Sequence, residues 1–140
     1  MSGKQLSILL IDDDDVAIES ATRNLRRHGI DFPIYVAHNG HDGIEALRGN
    51  GPNGALPKAL VVLLDLNMPV MNGFEFLETV REDPALRSTV VFVLTTSDSD
   101  TDRTRAYHEC IAGYMVKSAV GRQFSNLASL LRSYHVAIEL

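Results

Sequence analysis

At 140 residues and 45% apolar, the chain can bury one globular core and has little left for a second. Its formal charge of -5 argues against the basic face that nucleic-acid binding requires, and no apolar run reaches the ~20 residues of a membrane span. The single cysteine, Cys110, excludes an internal disulfide and fits the cytoplasm; the opening "MSGKQLS" lacks the regions of a signal peptide.

In chain order, short apolar runs alternate with amphipathic segments. "LSILLI" (6–11) reads as a strand and runs straight into Asp12, Asp13, Asp14 and Asp15. A helical pattern near 16–28 follows, with Val16, Ala17, Ala21 and Leu25 as its apolar spacing, Asp15 as the expected N-cap and Gly29 as its stop. Arg23, Arg26 and Arg27 share one helical face, read as solvated. Next come a strand "PIYVA" (33–37), a helix near 40–48 and a Gly/Pro/Asn-rich loop "GNGPNGALPK" (49–58). The strand "LVVLL" (60–64) precedes a helix near 73–82, and "VVFVL" (90–94) precedes one near 101–111 whose start, "SDSDTD", supplies caps. "GYMV" (113–116) is the fifth strand, and a helix near 121–135 follows.

Several strands are nearly continuous in apolar character, as expected when both faces of a sheet are covered. Five β/α units in strict alternation imply an open parallel sheet with helices on both faces, and the flavodoxin-like strand order 2-1-3-4-5 suits this size. In that topology the ligand crevice lies outside the carboxyl ends of the strands, where the order reverses. The residues that follow the strands therefore meet there: the four aspartates after the first, Asp65 after the third, Thr95 after the fourth and Lys117 after the fifth. Carboxylates at one point call for a hard cation, and magnesium takes one or two of them with water. With that charge shielded, an aspartate can accept a phosphoryl group as an acyl phosphate, while an ammonium and a hydroxyl stabilise the transferred oxygens. Asp12 and Asp13, nearest the strand, are the candidates for the metal, and Asp14 is expected to be solvated.

"LLIDDDD", "LLDLNMPVMNG", "VLTTS" and "GYMVKS" together resemble the signature of bacterial response-regulator receiver domains, and the likeness runs from Ile8 to about Tyr134. The resemblance implies that Asp65 is the phosphoacceptor. It implies a magnesium ion held by Asp13, Asp65 and the main-chain carbonyl of Asn67, with Asp12 acting through water. Thr95 and Lys117 would contact the phosphoryl oxygens, and Tyr114 would be the aromatic that changes rotamer with Thr95. Asn67 and Ser97 stand where such proteins tune the lifetime of the phosphate. Most receivers follow the lysine with proline in a cis peptide; here Ser118 stands there. A cis bond before a non-proline residue costs ~2.5–4 kcal/mol, so a trans Lys117-Ser118 peptide is expected. The Lys-Ser pair, the lengthened loop and "NMPVMNGFEFLE" resemble single-domain regulators that partner bacterial phytochrome histidine kinases.

"DDDDV" also fits the opening of haloacid-dehalogenase-type phosphatases, but the acidic pair they need after the lysine is missing: only Glu139 follows. A flavin-binding flavodoxin would need a phosphate loop where the aspartates stand. The preferred reading is a single receiver domain over 1–140 that takes phosphate from a sensor histidine kinase and signals through protein contacts. The histidines His28, His38, His41, His108 and His135 have no metal spacing and are expected at the surface, while Cys110 is expected to pack in the core or on a helix flank. Phe124, Leu127, Leu131 and Tyr134 form one apolar stripe on the last helix, with Leu130 to its side. After it, Val136, Ile138 and Leu140 alternate with polar residues, an apolar arm over 135–140 expected to join the last helix in a homodimer.

Overall fold

The computed structural model describes residues 6–117 and 125–133. The apolar runs form five parallel strands: β1 (Ser7–Ile11), β2 (Ile34–Ala37), β3 (Leu60–Leu64), β4 (Val90–Thr95) and β5 (Gly113–Val116). They hydrogen-bond in the expected order β2-β1-β3-β4-β5. Between them lie α1 (Asp15–Arg27), α2 (Gly40–Leu47), α3 (Gly73–Glu82) and α4 (Asp100–His108); residues 125–133 are helical and are called α5. This is the flavodoxin-like doubly wound arrangement.

Strand side chains alternate between two apolar layers, because successive residues of a strand point to opposite faces. Ile8 and Leu10 of β1, with Val61 and Leu63 of β3, pack with Ala21 and Leu25 of α1 and with Leu127, Ala128 and Leu131 of α5. Their neighbours Leu9, Ile11, Val62 and Leu64 pack on the other face with Ile44 of α2 and with Phe76, Leu77 and Val80 of α3. The central strands β1 and β3 are thus covered on both sides, which explains their unbroken apolar sequence.

Two local expectations are corrected. Val16 is 76% exposed and does not join the apolar stripe of α1. At ~100° per residue it stands about 140° round the helix from Ala21 and about opposite Leu25, whereas Ile18 shares their side and packs on the core. Cys110 is exposed, because it occupies the left-handed turn after α4 with φ 58. Leu127 and Leu131 are buried as the stripe requires, and Leu130 is half exposed beside them. Phe124, Tyr134, His135, the 135–140 arm and the Lys117-Ser118 peptide lie outside the described residues.

Candidate functional site

Asp12 leaves β1 in register, donating its N–H to the Ala37 carbonyl of β2 at 3.1 Å. Its carboxylate is buried, and Oδ1 accepts the Asp14 N–H at 3.0 Å, which turns the chain into α1. That turn makes Asp14 the cap: its side chain accepts the Val16 N–H at 2.9 Å, and Asp15 becomes the first helical residue. Asp15, expected as the cap, is exposed and faces His38 at 3.1 Å; Asp14, expected to be solvated, is exposed and also holds the helix start.

Asp65 continues β3, with its N–H on the Ile11 carbonyl at 3.0 Å. The β-ladder therefore brings two buried carboxylates, Asp12 and Asp65, to adjacent strand ends. Asp65 Oδ1 also accepts the Asn67 N–H at 3.4 Å. The loop then folds under α3, where Gly73 donates its N–H to the Leu66 carbonyl at 3.0 Å. A Cβ on Gly73 would lie 2.6 Å from the Asp65 carbonyl oxygen, so glycine is what lets the helix start this close to the site.

Lys117, arriving from β5, closes the crevice. Its Nζ lies 2.7 Å from Asp12 Oδ2 and 3.6 Å from Asp65 Oδ2. Thr95, fully buried at the end of β4, presents its hydroxyl to the Asp65 carboxylate. Burial pushes the Asp65 carboxyl above its ordinary pKa; the Lys117 charge opposes this, the Asp12 charge adds to it, and the Thr95 hydroxyl and Asn67 amide pull it down. Burial alone would lower Lys117, but the hydrogen bond it donates to Asp12 and the charges of Asp65 and Asp12 outweigh it and raise its pKa.

A pH dependence follows for the metal-free chain. With its folded pKa raised, Asp65 keeps its proton to higher pH in the folded state than in the unfolded one. Its contribution to stability is full below the ordinary aspartate value and is lost as pH rises through the raised one. The Asp65→Asn chain lacks that loss. Urea midpoints measured in chelator from the carboxylate range to neutrality should show the variant gaining on the wild type as pH rises; parallel curves would refute this.

The donor set suits a hard divalent cation. Carboxylate oxygens of Asp12, Asp13 and Asp65 lie within 4.8 Å of one another. Three carboxylates against one ammonium leave two negative charges, the charge of one such ion, and all the donors are oxygens. Asp13 is exposed at the mouth while Asp12 and Asp65 are buried behind it.

The fold brings Asp12, Asp13, Asp65, Thr95 and Lys117 to one crevice, with Asn67 on its rim. What the sequence did not reveal is the direct grip of Asp12 on Lys117, since the two are 105 residues apart in the chain. Nor did it reveal that Ser97 and Tyr114 join: the Tyr114 hydroxyl donates to the Ser97 carbonyl at 2.9 Å. His38, His41 and His108 are exposed and His28 half-buried, and among the described residues none joins the acidic cluster.

The sequence profile of the response regulator receiver domain matches residues 8–128. The chain is 35% identical over 111 residues to the probable methanogenesis regulatory protein FilR2 of Methanothrix harundinacea, a match spanning 79% of this chain and 70% of that protein. It is 30% identical over 111 residues to the response regulator Rcp1 of Synechocystis sp., spanning 79% of this chain and 76% of that one. A structure of Rcp1 in its Mn(2+)-bound form superposes with a TM-score of 0.74 at 27% identity, over 92% of this chain and 93% of that one. The phosphorylated cyanobacterial phytochrome response regulator RcpA superposes with a TM-score of 0.77 at 25% identity, over 96% of both chains.

Proposed function

Since the chain belongs to the response regulator receiver family, a family of phosphoacceptor switches served by sensor histidine kinases, we propose that Asp65 is its phosphoacceptor. The observation that carries the reading is the buried Asp65 carboxylate facing Lys117 Nζ at 3.6 Å. A carboxylate oxygen of Asp65 attacks the phosphorus of a phosphohistidine. The P–N bond breaks, its electron pair returns to the imidazole, and an acyl phosphate forms on Asp65. Lys117, oriented by Asp12, and the Thr95 hydroxyl stabilise the transferred oxygens. Asp13, Asp65 and the Asn67 carbonyl would hold magnesium, with Asp12 acting through water; the ion supplies charge neutralisation at the transferred group. The receiver match replaces the phosphatase alternative.

The donor we infer is a phytochrome-type histidine kinase, a reading supported by the likeness to RcpA and by "NMPVMNGFEFLE". We further infer a single receiver domain over 1–140, a protein target downstream and a homodimer through α5 and the 135–140 arm. Half-exposed Leu130 beside buried Leu127 and Leu131 suits such a contact. No helix among the described residues is long and apolar enough to cross a membrane.

The test is transfer of labelled phosphoryl from a phosphorylated kinase domain in the presence of magnesium, with the acyl phosphate trapped by borohydride and mapped. Label at Asp65 is expected; label elsewhere, or none, overturns the assignment. Asp13→Asn replaces a charged metal donor with a neutral one and should raise the magnesium needed for half-maximal labelling by about tenfold or more.

A further inference from the structure

α4 has almost no apolar face. Ala106 alone among Asp100–His108 is buried, so little apolar area holds this helix to the sheet. Polar contacts do it instead. At its C-terminal end the Arg81 guanidinium of α3 donates to the carbonyls of Glu109 at 2.6 Å and Cys110 at 3.2 Å. In mid-helix the Arg105 guanidinium lies 4.0 Å above the Phe74 ring.

At the N-terminal end five residues close on one another. Ser97 Oγ donates to Asp102 Oδ2 at 2.7 Å, and the Ser97 carbonyl accepts the Tyr114 hydroxyl at 2.9 Å. The Arg103 guanidinium covers the Tyr114 ring at 4.9 Å and pairs with Asp100 at 2.9 Å. Ser97 in turn aims its N–H at Thr95 Oγ1, 3.4 Å away.

Asp102 is the informative member. Three residues after a cap, a glutamate reaches back to the cap's own N–H, as Glu75 does to Asn72 in α3; Asp102, at that place after Ser99, is one methylene shorter. Asp102 turns instead to the Ser97 hydroxyl, a charge-assisted bond on a segment that has already left the β4 ladder. The cap's N–H goes to Ser97 Oγ as well, at 3.3 Å. The Asp102 carboxylate thus holds the Ser97 side chain while the Tyr114 hydroxyl holds its carbonyl, and the Ser97 N–H reaches Thr95 Oγ1.

We propose that Asp102 is a positioning residue for phosphoryl transfer, acting through Ser97 on Thr95; this rests on the reading of Asp65 as phosphoacceptor. Asp102 touches neither donor nor acceptor, so its effect belongs in the maximal rate and not in the binding of the donor.

The experiment uses the full chain, its Ser97→Ala and Asp102→Ala variants and the double variant. Acetyl phosphate with saturating magnesium is the donor, and Asp65 labelling is the first readout. Each single variant should lower the maximal rate by about tenfold with the half-saturating donor concentration unchanged. The double variant should be no slower than the slower single, because one contact is removed either way. Amide exchange in the absence of donor should quicken across residues 99–105 in Asp102→Ala, while the turn held by Arg81 keeps its protection. Additive losses, a change in half-saturation alone, or exchange unchanged at 99–105 would overturn the proposal. A wild-type chain that takes no label overturns the phosphoacceptor reading itself; a labelled wild type with an equally fast Asp102→Ala chain overturns the positioning role alone.

Discussion

Asp65→Asn is expected to lower labelling from a phosphohistidine donor by more than about a thousandfold, leaving a folded chain. An amide cannot form the acyl phosphate, and no neighbouring carboxylate is placed to replace it. Asp12 is buried and its Oδ2 is occupied by Lys117 at 2.7 Å, while Asp13 lies out at the mouth. The fold should survive because the substitution removes one of two buried like charges; burial already pushes Asp65 toward its neutral form. Scintillation counting of the trapped adduct, beside a urea titration of the same sample, checks both halves. Label transferred to Asp12 or Asp13 in the variant would show that the crevice, rather than this residue, selects the acceptor.

Lys117→Met should damage both stability and transfer. Among the described residues no other cation pairs with Asp12 or Asp65, whose side chains are 4% and 7% exposed. Without the ammonium two buried carboxylates face each other unpaired, at a cost of about 3 kcal/mol to the metal-free chain. Magnesium should recover most of that loss, since a divalent ion offsets the same charge. Labelling should stay at least about a hundredfold down even with the ion, because the lysine's donor to the phosphoryl oxygens is gone. Urea midpoints with and without magnesium separate the two effects. A variant as stable as the wild type in chelator would mean that solvent, not Lys117, neutralises the pair.

Much of the site is legible before folding because the topology does the gathering. Asp65, Thr95 and Lys117 each follow an apolar run, and a doubly wound parallel sheet sends every strand's carboxyl end to one edge. Once the order β2-β1-β3-β4-β5 is granted, their meeting needs no further information. The cap of α1 was less legible. Asp14 and Asp15 are chemically identical, and the choice between them was made by the Asp12 carboxylate accepting the Asp14 N–H, a contact that exists only after β1 has ended. Val16 misled for a different reason: its spacing to Ala21 and Leu25, at ~100° per residue, puts it off their face wherever the helix begins.

The amino-acid sequence by itself determined the fold class, the strand order and the list of residues that can reach the crevice, because hydrophobic period and turn chemistry are local properties. Only the tertiary structure decided how those residues divide the work. Asp12 grips Lys117 across 105 positions, Thr95 meets Asp65 from a neighbouring strand, and Asp102 turns away from its own helix to hold Ser97. Charged residues as far apart as Asp12 and Lys117 carry no sequence signal of their pairing. Their partners are fixed by which strand ends lie side by side and by how little water remains between them, and both are products of the packed sheet.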